Sequence, residues 1–213
     1  MLWLALQALL ALVMARMLRQ PRWWLPLHLM FFPALGLLWC LHWPRYVYGG
    51  IFGFLTLVYW STFRTRVPLY LTHRASLETL MQQVAVRRPR LFADLGCGTG
   101  TVLCALAERF PDARFVGWEV APLPWLWAKW TTRHLPNCRV HFGSFWHQPL
   151  HAYDMVYAFL SPVPMPELWR KAQNEMNAGA WLVSNSFAVP DVQPWQVLDE
   201  GEPMPLYVYR CEA

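Results

Sequence analysis

Charge is scarce in this 213-residue chain: Asp, Glu, Lys and Arg make up 15% of it, against about 25% in an average soluble domain. Its first 66 residues contain no acidic side chain, only six Arg. Residues 67–213 hold 12 Lys plus Arg against 13 Asp plus Glu, so the formal charge of +5 belongs to the opening third. With no basic excess in the remainder, the electrostatic footprint of a nucleic-acid binder is missing. Cysteine is sparse and unpaired as well. Five residues, an odd number without a CxxC pair, make no disulfide framework and suggest no zinc site, and they fit a reducing compartment. His147 and His151 stand four apart, but Pro149 lies between them and no third ligand follows, so no metal is expected. Internal repeats and low-complexity segments are also lacking.

What the chain has instead is apolar surface: 56% hydrophobic residues and 14 Trp. Residues 23–43 are 21 positions without a formal charge, and 46–63 are 18 more after a Pro44-Arg45 break. Runs of that length suit a hydrocarbon core of about 30 Å. Residues 1–15 are apolar but short, and cross only if Arg16 snorkels. Trp23, Trp24, Trp43, Tyr46, Tyr59 and Trp60 sit at the ends of these runs, where amphipathic rings favour the membrane interface. A cleaved signal peptide would carry its positive charge before the apolar run, and here the Arg residues follow it. A buried soluble hairpin would need a larger core than the remaining residues offer. The reading is therefore a transmembrane anchor of two or three helices over 1–66 and a second domain over 67–213. Arg16, Arg19 and Arg22 on one side, with Arg64 and Arg66, outvote Arg45. The positive-inside rule then gives three crossings, with the second domain in the cytoplasm. That makes an integral membrane protein, in the inner membrane of a bacterium or a mitochondrial membrane of a eukaryote, with the lipid bilayer as its first partner.

From residue 67 onward the periodicity alternates. Helical spacing over 75–86, 102–110, 123–134 and 166–176 separates short apolar runs at 91–93, 114–118, 139–142, 155–160 and 180–184. Strands and helices in that alternation imply an α/β domain, a parallel sheet covered on both faces. Two more candidate strands, 196–198 and 206–210, are expected as an antiparallel edge. Asp154 opens the fourth strand as a capping residue rather than a base. Trp118, Trp125, Trp127 and Trp130 form an aromatic surface that mostly packs but also offers a face to the anchor.

Between the first strand and its helix stands Asp94-Leu95-Gly96-Cys97-Gly98-Thr99-Gly100. Glycines let the backbone turn sharply and lie close to a ligand at the carboxyl end of a sheet. A dinucleotide fingerprint would place its third glycine at position 101, which here is Thr101. The spacing thus favours S-adenosyl-L-methionine over NAD, since no pyrophosphate need be cradled. Glu119 closes the second strand, where a carboxylate can accept hydrogen bonds from ribose hydroxyls. Strand, glycine loop, helix, strand and acid in that order are far more specific than the loop alone.

Residues 92–100 resemble motif I of class I methyltransferases. The chain from about 67 to 210 is further similar to the membrane-attached protein-lysine methyltransferases, the family that includes the mitochondrial enzymes acting on the c-subunit of ATP synthase and on the adenine nucleotide translocase. Val67-Pro68, Gly117-Trp118-Glu119-Val120-Ala121-Pro122 with Trp125-Leu126, Ser144-Phe145-Trp146, Pro164-Met165 and Phe187-Ala188-Val189-Pro190 carry the likeness. The resemblance implies a Rossmann-like class I methyltransferase sheet and the cofactor S-adenosyl-L-methionine. Asp94, Gly96, Cys97, Gly98, Thr99, Gly100, Glu119, Val120, Ser144 and Phe145 would bind it. The substrate would be a lysine in a membrane protein. Two positions depart from the family, which has Asp in place of Thr99 and of Ser144; a hydroxyl accepts from an adenine amino group less strongly than a carboxylate does. At the end of the fourth strand, Phe159-Leu160-Ser161-Pro162 replaces the Asn-Pro-Pro-Tyr of amide and adenine methyltransferases, which argues against planar nitrogens as substrates. Ser161 is the candidate for orienting the attacking nitrogen and Phe187 for a pocket wall. A methyltransferase of a lipid-soluble small molecule and a non-catalytic membrane assembly factor are the competing readings.

Overall fold

The computed structural model describes residues 10, 13, 14, 17, 24–40, 43–65, 72–199 and 204–212. The chain forms two compact units that divide between Phe54 and Leu55. In the first unit α1 spans Trp24–Cys40, and α2, Arg45–Thr65, crosses the division. Most of the apolar run 1–18, and Arg16, Arg19, Arg22 and Arg66, lie outside the described residues.

The sequence reading expects two or three membrane-spanning helices over 1–66. Among the described residues, no helix is long and apolar enough to cross a membrane. The described part of α1 has 17 residues, and residues 23, 41 and 42 of the charge-free run lie outside the described residues. α2 has 21 residues, but Gly49, Gly50, Gly53, Ser61 and Thr62, three Tyr and a terminal Arg45 dilute its apolar character.

The second unit is the expected α/β layer structure. Its elements after α2 are α3 (Arg74–Arg87), β1 (Leu91–Leu95), α4 (Thr101–Arg109), β2 (Arg114–Glu119), α5 (Pro122–Thr131), β3 (Cys138–Phe142), a 3-10 turn (Phe145–His147), β4 (Met155–Ala158), α6 (Met165–Glu175), β5 (Trp181–Asn185), β6 (Gln196–Leu198) and β7 (Leu206–Arg210). The sheet order is β3-β2-β1-β4-β5-β7-β6. β1 to β5 run parallel, while β7 pairs antiparallel with both β5 and β6. The two C-terminal strands thus form the antiparallel margin expected of them.

Burial follows the period of two. Phe92, Phe115, Tyr157, Val183 and Val208 point into one layer, against Leu80 and Val84 of α3 and Leu103 and Leu106 of α4. Ala93, Leu95, Val156, Ala158 and Leu182 point into the other, against Leu168 and Ala172 of α6. Asp154 ties two strand starts together, its Oδ2 accepting from the N–H groups of Arg90 and Leu91 at 2.7 and 3.1 Å. β4 ends two residues before the apolar run does. Phe159, Leu160 and Ser161 are buried but have left the ladder, and Pro162 has no N–H to extend it.

Candidate functional site

In this sheet the connections reverse direction between β1 and β4, and a crevice at the carboxyl ends of those strands is where open α/β sheets hold ligands. The loop leaving β1 is held in shape by glycines: Gly96, Gly98 and Gly100 have φ of 81°, 53° and 78°, a region costly for any residue with a Cβ. Gly96 and Cys97 both donate backbone hydrogen bonds to the Trp118 carbonyl at 2.8 and 3.1 Å, so the loop lies across the end of β2. Gly100 lets α4 begin hard against α5, since a Cβ there would stand 2.9 Å from that of Ala128. A Cβ on Gly117 would collide with the Leu103 side chain and stand 2.8 Å from the Cys97 sulfur. The Cys97 thiol is accordingly packed into the core, and burial pushes its pKa well up.

Glu119 is 7% exposed. Its Oε2 accepts from the Gly98 N–H at 2.8 Å and its Oε1 from the Ala121 N–H at 2.7 Å. The carboxylate therefore straps the glycine loop to the start of α5. Burial raises its pKa, while the amides of Ala121, Gly98 and Val120 pull it down. Each oxygen keeps a lone pair beyond its amide, so the group remains an acceptor for two hydroxyls. Asp94, the last acid before the loop, is buried, and desolvation with the charge of Glu119 pushes its pKa up to about 8. A second carboxyl beside an ionised one in low dielectric favours its neutral form. The pair favours a cationic ligand, whose charge would offset both penalties.

The remaining expected residues fall into two places. Gly143 donates to the Glu119 carbonyl at 2.9 Å, which brings the turn after β3 beside the end of β2. Ser144 caps the 3-10 turn that follows, its hydroxyl 3.4 Å from the Trp146 N–H, and Phe145 packs at 4.7 Å on Trp146. Thr99 and Thr101 share a hydrogen bond at the loop's rim. Ser161 is buried just past β4, and Phe187, half-buried after β5, leans on Phe159 with ring centroids 6.3 Å apart.

Sequence reasoning missed a polar group beneath the loop. The buried Tyr157 hydroxyl accepts from Asn185 Nδ2 at 2.8 Å and shares a 3.1 Å hydrogen bond with Thr72. Thr72 and Tyr157 line a narrow cavity with Asp94, Cys97, Thr99 and Phe159. No local signal announces the group, because its members stand 28 and 85 positions apart. The larger groove lined by Trp169, Gln173, Trp195 and Arg210 contains none of the glycine-loop or acidic residues, so volume is a poor guide here. Among the described residues one trio has metal-ligating character, and it does not include His147 or His151: Cys104, Glu108 and His134 bring one ligand atom each within 4.8 Å of the others. Glu108 accepts from the Cys104 thiol at 3.5 Å and lies 3.6 Å from His134 Nε2. Its Glu and His are more than half exposed, which suits a solvated ion pair. The signal, Cys104 and Glu108 four apart on one helix, is in the sequence; His134 joins them only through the fold.

Comparison with known proteins agrees with this geometry. Residues 94–196 match the family model described as the ANTKMT methyltransferase domain. The ATP synthase C-subunit lysine N-methyltransferase of Rattus norvegicus is 26% identical over 176 residues, covering 75% of this chain and 78% of the relative. The secondary metabolism regulator laeA of Aspergillus flavus is 31% identical over 98 residues, 43% of this chain and 25% of that protein. The chain thus spans about a quarter of the length of the laeA regulators it matches. An RNA methyltransferase from Salinibacter ruber, solved with S-adenosyl-L-homocysteine, superposes with a TM-score of 0.61 at 20% identity over 67% of this chain and 94% of that one. The chain has the fold of a class I methyltransferase and is similar in sequence to the ANTKMT methyltransferase domain family and to the ATP synthase C-subunit lysine N-methyltransferases.

Proposed function

We propose that the protein transfers a methyl group from S-adenosyl-L-methionine to a lysine of a membrane protein, and that residues 1–66 attach it to that membrane. The observation that carries the reading is the Glu119 strap: a buried carboxylate at the end of β2 closing a glycine loop at the sheet's switch point. The residues present fit the cofactor. Glu119 supplies acceptors for ribose hydroxyls, Ser144 and Phe145 a polar edge and a ring for the base, and the neighbouring Asp94 a carboxylate for a cation. When bound, the cofactor supplies an electrophilic methyl on a positively charged sulfur.

The chain's own residues then have two tasks. A lysine must give up its proton before its nitrogen is a nucleophile, and the apolar walls made by Phe159, Leu160 and Phe187 disfavour the ammonium form. Ser161, where the chain leaves β4, orients the neutral amine, so that binding rather than acid–base chemistry lowers the barrier. The proton that the lysine gives up on entry goes to water, and the product leaves as a methylammonium that carries the charge the sulfur has lost.

Membrane attachment rests on the exposed apolar side chains of the first unit, among them Leu29, Met30, Phe31, Leu37 and Phe52, and on the absence of any acid before residue 67. Deleting residues 1–66 is expected to leave cofactor binding in place by calorimetry. Methylation of isolated membranes should fall sharply, because local concentration is lost. Equal labelling by the shortened and full-length proteins at matched concentration would remove the anchor from substrate choice.

A further inference from the structure

α5 buries one side and leaves the other bare. Pro124 and Ala128 face inward, with Ala128 pressed on Gly100. The opposite face carries Leu126, Trp127 and Trp130, 52%, 57% and 57% exposed. The two indoles lie 5.6 Å apart. For a 100° turn per residue, Leu126 and Trp130 share a stripe, with Trp127 at one margin and Lys129 and Arg133 at the other. The cations are seated on aromatic faces: Lys129 Nζ is 5.1 Å from the Trp125 ring and the Arg133 guanidinium 4.5 Å from that of Trp130. Between Pro122 and His134 no acidic residue occurs.

Exposed tryptophans flanked by Lys and Arg on a helix face match an interface in which rings lie among headgroups and cations reach phosphates. A protein partner would be expected to meet such a stripe with acids of its own; a bilayer needs only anionic lipid. We propose that this face of α5 is a second membrane contact, one that docks on anionic phospholipid. α5 begins three residues after Glu119, so the docked helix presents the Glu119 end of the sheet to the bilayer surface. The inference stands apart from the methylation reading, since it concerns where the second unit lies and not what it transfers.

Full-length protein and its W127F/W130F variant are reconstituted into vesicles that contain a lipid brominated near the headgroup end of its acyl chains. The difference between their emission spectra isolates the two indoles. In vesicles rich in phosphatidylglycerol that emission should be quenched and blue-shifted relative to detergent solution. In pure phosphatidylcholine vesicles, or after K129E/R133E in the same pair, the quenching should be lost. Neither outcome depends on methyl transfer, so failure here leaves the methylation reading standing. Unquenched indoles in phosphatidylglycerol vesicles, or quenching indifferent to lipid charge and to the charge reversal, would overturn the proposal. Quenching that appears only when a membrane protein is added would overturn it too, by making the occupant a polypeptide.

Discussion

Asp94→Asn is expected to make the ligand-free protein more stable and nearly unable to bind S-adenosyl-L-methionine. The unfolded chain ionises this carboxyl near its ordinary pKa of 3.8, whereas in the fold burial and the Glu119 charge push it up to about 8. A folded pKa above the unfolded one means that the folded state binds the proton more tightly. Its contribution to stability is therefore complete below pH 4, falls as the pH rises from about 4 to about 8, and is flat beyond. Asparagine avoids the ionisation cost and still buries a polar amide, so the gain at neutral pH should be on the order of 1–3 kcal/mol in denaturant or thermal melts. The loss is in binding. The cofactor brings an ammonium and a sulfonium, which favour the ionised carboxylate, so a proton must leave Asp94 as the cofactor enters. Wild-type affinity should weaken roughly tenfold per pH unit below about pH 8 and level off above it, while the Asn variant shows weak, pH-independent binding. Calorimetry at pH 6.5 and 8.5 in buffers of different ionisation enthalpy reads both the affinity and the proton released. An Asn variant that binds as tightly as wild type would place Asp94 among residues that merely pack.

The second large effect is expected at Glu119. Replacement by Ala removes the acceptor for two ribose hydroxyls and also frees the Gly98 and Ala121 amides from their partner. Affinity should fall by roughly 100-fold or more, the scale of two hydrogen bonds to a charged group at about 1.5–3 kcal/mol each. Glu119→Gln separates the two roles. One oxygen can still accept from an amide, but the NH2 that replaces the other would face an N–H donor. The Gln variant should therefore bind weakly and also lose protection of the loop in hydrogen exchange, with the rest of the sheet unaffected. Unchanged affinity in both variants would remove Glu119 from the site, whatever the loop does.

Much of this architecture was legible because two periods and one punctuation mark did the specifying. The alternation of apolar runs at periods of two and 3.6 is written along residues 75–210, and the parallel β1 to β5 follow from it. The glycine loop and Glu119 were readable because each needs its residue type locally. The strap between them was not, since a side chain bonding a backbone amide 21 positions away leaves no trace in composition. The Tyr157–Asn185–Thr72 group was hidden for the same reason. One error came from reading apolarity as length. Phe159 and Leu160 look like strand and are buried, yet the ladder has ended at Ala158. Burial and strand extent are separate properties, and a hydropathy pattern reports chiefly the first.

The most direct measurement of the central claim is the fate of the labelled methyl group. Membranes from cells lacking the protein, supplied with purified full-length chain and S-adenosyl-L-methionine radiolabelled in its methyl, should accumulate label in a membrane protein. Acid hydrolysis should return that label as methyllysine, and neither Asp94→Asn nor Glu119→Ala protein should produce it. Label recovered in the lipid extract would contradict the claim by making the substrate a small lipid-soluble molecule. Tight cofactor binding with no label in either fraction would contradict it by making the fold a scaffold without turnover.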